Sequence, residues 1–350
     1  MTNRPYITAV IDTYNHERFI AEAIESVLAQ DFSRDDLEIL VVDDGSTDAT
    51  PDIVGRYSDR VRYIPKPNGG QASALNLGFA EARGEIVAML DGDDVWLPQK
   101  LRRISEEFER APDAVLVYHP YITWVPDENI AAEDTTFFPL RGTMPLQGEA
   151  LLRYGSYGTC AMALRKASAS ALFPVPESLV IYADTFLVIL LPFAGTVVGI
   201  SEALTKYRHH GTNLTAFSAR DEGKLKRRWH CFHLAIEEAK QWLVRSGFEL
   251  TRCDIALHLR RHELVAQAFR YDFAPPGRAE YFRYLLDFHG LYRPLWTWRY
   301  RAFHRLLSLA GFVLGYERFV GLRNWYRGSD LSLAAREKLF PVLGQEAQLP

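Results

Sequence analysis

The chain has 350 residues, 48% of them hydrophobic and 24% charged, with a formal net charge of −4; this composition and length suit a soluble globular protein with one large domain and an appended one. Three scattered cysteines, Cys160, Cys231 and Cys253, form no Cys-x-x-Cys pair, which argues against a disulfide frame or a zinc site and for reduced thiols in a cytoplasmic protein. No signal peptide is read at the start, where the apolar run 7–11 is too short for one.

The first predicted strand, near 5–11, runs into the polar turn Asp12-Thr13-Tyr14-Asn15. A helix near 17–29 follows, with Ile20, Ala23, Ile24, Val27 and Leu28 at helical spacing. The second strand, near 37–43, ends in Asp43-Asp44-Gly45-Ser46. A helix near 49–58, a strand near 60–64 and a helix near 71–82 lead to the apolar run 85–90, read as a buried strand. Behind it stand Asp91-Gly92-Asp93-Asp94, three carboxylates in four residues. Such a cluster repels itself unless a cation sits among it, and Mg²⁺ takes one or two carboxylates while filling its sphere with phosphate oxygens. The plainer reading is a solvated Asp-Gly turn.

A helix near 98–110 and a strand over 114–125 come next. Residues 126–145, with Pro126, Pro139 and Pro145, read as a loop and a candidate lid. The uncharged stretch 185–200 is short of a membrane span and is interrupted by Pro192 and Gly195, so a helix near 182–193 and a strand near 196–200 are expected. Alternating strands and helices imply a mostly parallel sheet with helices on both faces. Three strands deliver polar residues at their C-terminal ends, the edge at which open α/β sheets bind ligands.

Beyond Thr215 the pattern turns helical, over 222–246, 249–273 and 276–290. The charge changes there too: residues 1–217 carry 18 Lys+Arg against 30 Asp+Glu, and residues 218–350 carry 22 against 14. An acidic half suits a metal-holding protein; a basic half suits an anionic surface or acceptor, or simply solvated helix faces. Residues 288–328 hold eleven aromatics and seven arginines, with Glu317 the only acid. That is the composition of a segment lying among lipid headgroups, or of a bundle whose aromatics form its core. Nucleic-acid binding is not expected, for no recognition motif accompanies the basic residues.

Taken in order, Thr13-Tyr14-Asn15, Asp43-Asp44-Gly45-Ser46, Asn68-Gly69-Gly70 with Asn76 and Gly78, Asp91-Gly92-Asp93-Asp94, Asp184 and Tyr207-Arg208-His209-His210-Gly211 carry a resemblance. Over about residues 5 to 215 the chain resembles a family 2 glycosyltransferase with the Rossmann-like GT-A fold. The resemblance implies a catalytic domain over 1–215, a helical region over 216–350, and inverting transfer from a nucleoside-diphosphate-sugar with Mn²⁺ or Mg²⁺. It implies Asp93 as metal ligand through an Asp-x-Asp motif, with His210 reaching the metal or diphosphate and Asp91 turned to the donor's ribose or assisting the metal. Asp44 would meet the base edge and Thr13 and Tyr14 would line its pocket; Asp12 and Asn76 are counted with the donor site. Asp184 would be the general base, although Ala183 replaces the Glu that usually precedes it. Asp12 stands where the family usually has Pro. Leu75 stands where many members have an Arg for the diphosphate, so Arg208 or Lys66 is expected to supply that charge. The donor implied is UDP-, dTDP- or GDP-linked. The resemblance implies as acceptor a glycan or a lipid-linked sugar of bacterial surface polysaccharide or glycolipid assembly, in the cytoplasm or at the inner face of the cytoplasmic membrane, where 288–328 would make peripheral contact unless it forms a bundle core. A sugar-nucleotide pyrophosphorylase would open with a Gly-rich, Arg-containing phosphate loop that is absent here, and a binding-only scaffold would be expected to lose Asp93 or Asp184.

Overall fold

In a computed structural model, residues 5–126, 130–133, 139–144, 158–211, 213, 221–292, 305–306 and 309–320 are described. The chain forms two compact units, 1–259 and 260–350. The first is built on strands β1 (Ile7–Thr13), β2 (Leu37–Asp43), β3 (Arg62–Pro65), β4 (Ile86–Asp91), β6 (Ala114–Tyr118), β9 (Arg141–Gly142), β10 (Met162–Arg165) and β11 (Thr196–Gly199). They lie in the order β3-β2-β1-β4-β10-β6-β11-β9. The strands β3 to β4 are mutually parallel, whereas β10 runs against both its neighbours and β9 against β11. Residues 7–11 and 86–90 are buried throughout, which is why they read as unbroken apolar runs rather than alternating ones.

Helices cover the sheet where the apolar spacing placed them. In α1 (Ile20–Leu28) the buried residues are Ile20, Ala23, Ile24, Val27 and Leu28, the predicted stripe. Helices α2 (Thr50–Gly55), α3 (Gln71–Glu81) and α4 (Lys100–Arg110) fall near their expected positions. So does the apolar helix over Ala183–Ala194, which precedes β11 as the sequence suggested. Among the described residues, no helix is long and apolar enough to cross a membrane.

Two expectations change. The stretch 114–125 is not one strand: it breaks at His119-Pro120, where proline has no N–H to give a ladder. Its second half, β7 (Tyr121–Val125), joins a smaller sheet in the order β5 (Val95–Trp96), β12 (Thr205–Arg208), β7, β8 (Ile130–Glu133). The expected loop over 126–145 also contains two short strands, β8 and β9; residues 127–129, 134–138 and 145 of the candidate lid lie outside the described residues.

The first unit extends past residue 215, through the long helix Glu222–Arg245 and into the helix Cys253–Tyr271. In the second unit Tyr271, Tyr281 and Phe319 form a buried cluster, with Tyr284, Leu285 and Tyr316 packed on it. Tyr281 and Tyr316 meet edge to face at 5.1 Å. Leu309 (56%), Phe312 (42%) and Val313 (57%) are exposed on the helical stretch 309–314. The aromatic-rich segment therefore supplies both core and surface. Trp296, Trp298 and Phe303 lie outside the described residues.

Candidate active site

Parallel register aligns the strand ends. Asp12 stands opposite Asp91, and Thr13 opposite Asp43, so the carboxylates from β1, β2 and β4 emerge at one sheet edge. Asp12 Oδ1 is buried without a hydrogen-bond partner. Burial first, then the charges of Asp93, Asp44 and Asp184, push the Asp12 carboxyl up to about 7 against the pull of a backbone hydrogen bond. Asp91 is raised well above the ordinary carboxylate range by burial and then by Asp12, Asp94, Asp93 and Asp184. Asp184, in the first turn of the helix Ala183–Ala194, is lifted by burial to about 6, although the Thr185 N–H donates to it at 2.7 Å. Asp12 feels the charges of Asp93, Asp44 and Asp184, and Asp91 those of Asp12, Asp93 and Asp184, so the five acids named from the sequence lie near one another.

Asp93 is poised the other way. Burial would raise it, yet the His210 ring nitrogen Nε2, 2.9 Å from its Oδ2, and His16, 3.9 Å away, hold it below the usual value. Asn213 fastens this pair: its amide donates to the Arg208 carbonyl at 2.9 Å and to Asp93 Oδ2 at 3.4 Å, while its oxygen accepts the His210 N–H at 2.6 Å. Gly92 lets the turn close, since a Cβ there would lie 2.8 Å from both His16 Nδ1 and Thr13 Oγ1.

The Asp44 carboxylate is held rigidly. Lys66 Nζ is 2.5 Å from Oδ1, and the N–H groups of Gly69 and Gly70 donate to its two oxygens at 2.9 and 2.7 Å. Asp43, buried beside it, accepts from the Ser46 N–H and the Tyr63 hydroxyl. Asn15, with φ 55, donates its N–H to Ser46 and accepts from Thr47, which clamps the β1 and β2 loops together. Thr13 is buried and reaches His16 Nδ1 at 3.2 Å, whereas Tyr14 is 43% exposed at the mouth.

Some residues named from the sequence do other work. Asn76 does not face this space: its amide donates to the Val175 carbonyl and its oxygen accepts the Val175 N–H, so both ends bind backbone. Arg208 is no phosphate ligand in waiting. Its guanidinium lies between the rings of Phe19 and Trp124 and donates to the Asp93 carbonyl and to Glu22. Lys66 is engaged by Asp44. Asp94 accepts the Arg208 N–H at 2.8 Å and so ties the acidic turn to β12.

Sequence reasoning gave no role to His16, Lys100, Cys160 or Asn213. Lys100 is wholly buried, and burial lowers it to about 7 against the opposing pull of Cys160, Asp94 and Asp91. Ligand atoms of Asp91, Asp94 and Cys160 lie within 4.8 Å of one another. Burial raises the Cys160 thiol well above its ordinary value, so it is a poor ligand for a hard cation. The oxygen-rich remainder is different. An orphaned buried oxygen on Asp12, mutual repulsion between Asp12 and Asp91, and the Asp93–His210 pair fit a small divalent cation.

The sequence profile of Glycosyl transferase family 2 matches residues 8–171. An uncharacterised glycosyltransferase of Nostoc sp. is 35% identical over 269 residues, 73% of this chain and 80% of that protein. Another, from Rickettsia typhi, is 34% identical over 152 residues, 40% of this chain and 47% of its own length. Among solved structures, S. aureus TarS with UDP-GlcNAc superposes with a TM-score of 0.60 at 18% identity, covering 82% of this chain and 81% of that one. The mannosyltransferase PcManGT of Pyrobaculum calidifontis, in complex with GDP-Man and Mn²⁺, gives 0.56 at 19% identity over 97% of this chain and 88% of that one. With that relationship and this sheet, the chain belongs to glycosyl transferase family 2 and has the GT-A fold.

Proposed function

We propose that this glycosyltransferase is metal-assisted and inverting, and moves a sugar from a nucleoside diphosphate to an acceptor hydroxyl. The observation that carries the reading is the gathering of Asp12, Asp44, Asp91 and Asp93 at the aligned ends of β1, β2 and β4, with Asp184 near enough for its charge to raise Asp12 and Asp91. A divalent cation would be held by Asp93 and His210 with Asp91 beside them, and when bound it neutralises charge on the departing diphosphate. Asp44 accepts a hydrogen bond from the base edge, with Thr13 and Tyr14 beside it; uracil, thymine and guanine each offer such an N–H. Asp184 takes the proton of the acceptor hydroxyl as its oxygen bonds to the anomeric carbon and the bond to the diphosphate oxygen breaks. A single displacement inverts that carbon. The UDP-GlcNAc and GDP-Man bound to the structural neighbours support a nucleotide-sugar donor.

A panel of UDP-, dTDP- and GDP-sugars with and without Mn²⁺ tests this reading. The preferred donor at 100 Kd adds about 2.7 kcal/mol to stability, visible as a metal-dependent rise in Tm. NMR of the product reads the anomeric configuration. A panel that leaves Tm unmoved with metal present refutes the donor site, and retained configuration refutes the single displacement.

The acceptor is a glycan or lipid-linked sugar of bacterial surface assembly, and the second unit brings the enzyme to the inner face of the membrane that carries it. Supporting this are the exposed apolar residues Leu306, Leu309, Phe312 and Val313, set in a segment rich in arginine. The domain division proposed is catalytic over 1–215 and acceptor- or membrane-facing beyond it.

A further inference from the structure

Lys100 opens α4 and is 0% exposed. An ammonium taken out of water, at the positive end of a helix, is unfavourable twice over unless its surroundings compensate. Its direct partners are neutral. Nζ donates to the Cys160 carbonyl at 2.5 Å and the Thr205 hydroxyl at 3.1 Å, and it lies 4.2 Å from the centre of the Trp96 ring. Burial lowers the amine to about 7 against the pull of Cys160 and then of Asp94 and Asp91 in the acidic turn.

Both partners lead to the candidate donor site. Cys160, gripped at its carbonyl by Lys100, donates its own N–H to Asp91 Oδ2 at 3.2 Å. Thr205 is the first residue of β12, whose last residue, Arg208, donates its N–H to Asp94 and its guanidinium to the Asp93 carbonyl. Two residues further, His210 meets Asp93. One amine therefore anchors the two arms that flank residues 91–94, one through Cys160 and one through β12. These links cross 60 and 105 residues of sequence.

We propose that Lys100 is a positioning residue: it fixes the Asp91 carboxylate and the Asp93–His210 pair in mutual register for metal and donor diphosphate. This inference rests on the metal-assisted donor site proposed above. Partners behind metal ligands set affinity through orientation, and their loss typically lowers it 10- to 100-fold. A lysine that merely fills the core would change stability and leave affinity alone.

The test uses the full chain and calorimetric binding of UDP and GDP across a Mn²⁺ series, which needs no turnover. Wild type should bind nucleotide in a Mn²⁺-dependent manner; metal-independent binding overturns the donor-site reading and this inference together. Lys100→Met keeps much of the side-chain length without charge or donor, and should move the Mn²⁺ midpoint upward about 10-fold or more. Thr205→Val removes the hydroxyl that accepts from Nζ and itself donates to the Cys160 carbonyl at 3.1 Å, keeps the bond from Nζ to Cys160, and should move the midpoint the same way by less. A folded Lys100→Met protein with the wild-type midpoint and nucleotide affinity overturns the role of Lys100 while leaving the donor site standing. Should Lys100→Met fail to fold, Thr205→Val decides for the buried junction of Lys100, Thr205 and Cys160: a raised midpoint supports it as the anchor, and an unchanged one overturns it.

Discussion

Asp184 and Asp93 face the same group of acids, yet their surroundings drive them apart: burial lifts Asp184 to about 6, while the two histidines hold Asp93 down. A general base works ionised, so kcat/KM should rise with pH through about 6 and level off above it. The same shift acts on stability with a definite sign. A carboxyl whose folded value is raised binds its proton more tightly in the folded chain. Its contribution is present in full below the unfolded value of about 3.9 and is lost as pH rises through about 6. Asp184→Asn should lower transfer by about 10²-fold or more, abolish the acidic limb of the pH profile and leave nucleotide affinity near wild type. Equal losses of binding and turnover would make Asp184 structural. For Asp93→Ala, calorimetry should find weakened Mn²⁺-dependent nucleotide binding and assays no transfer, with an intact circular dichroism spectrum. Unchanged affinity in the presence of metal would remove Asp93 from the site.

Helix α3 packs on β1 and β2 through Gly78, where a Cβ would lie 2.5 Å from Val10 Cγ1. Gly78→Ala should therefore lower the denaturant midpoint by the equivalent of about 1–3 kcal/mol, the usual effect of overpacking. Metal-dependent nucleotide affinity of the folded fraction should not change, because α3 contributes no side chain to the ring of acids. The alternation of strand and helix up to residue 110 was readable because each element is long enough to show its period or its unbroken burial. Strands β5 and β9 have only 2 residues each, too few for any period to emerge, and β10 pairs antiparallel with strands remote in sequence, so the smaller sheet and the antiparallel insertion were not foreseen. In the candidate site, Asp12, Asp44, Asp91 and Asp93 stood out because they terminate or directly follow apolar strands. Nothing in the sequence around Lys100 sets it apart; the partners that hold its amine, Cys160 and Thr205, arrive from distant sequence. Arg208 and Asn76 were misread for the same reason, since their partners Trp124, Glu22 and Val175 are remote in sequence.

At the scale of the whole molecule, the acidic first 217 residues and the basic remainder set opposite fields. On 309–314, Ala310 and Leu314 pack toward the tyrosine cluster, while Leu309 and Val313 are exposed and Phe312 is partly so, its ring 5.2 Å from that of Phe282. Basic residues near an anionic bilayer contribute about 1 kcal/mol each, and salt screens them. The intact protein should float with phosphatidylglycerol vesicles at low salt and be released in part at high salt. Replacing Leu309, Phe312 and Val313 together by Ser should weaken flotation at both salt levels. Failure to float with anionic and phosphatidylcholine vesicles alike would point to a soluble acceptor.

The strand β10, placed between β4 and β6, dictates the order in which the sheet can close. A chain emerging from the ribosome completes β1 to β4 first, and β4 then presents an open row of N–H and C=O groups on the strand that ends in Asp91. Among the described strands none made next pairs with it, because β6 and β11 attach only through β10, and β10 is not finished until Arg165. Every nascent chain therefore passes through a stage with a sticky central edge, and refolding should be paced by this one distant antiparallel pairing. Chains cut short before Met162 keep that edge for good. They should self-associate rather than fold, however complete their set of strand-end carboxylates from β1, β2 and β4.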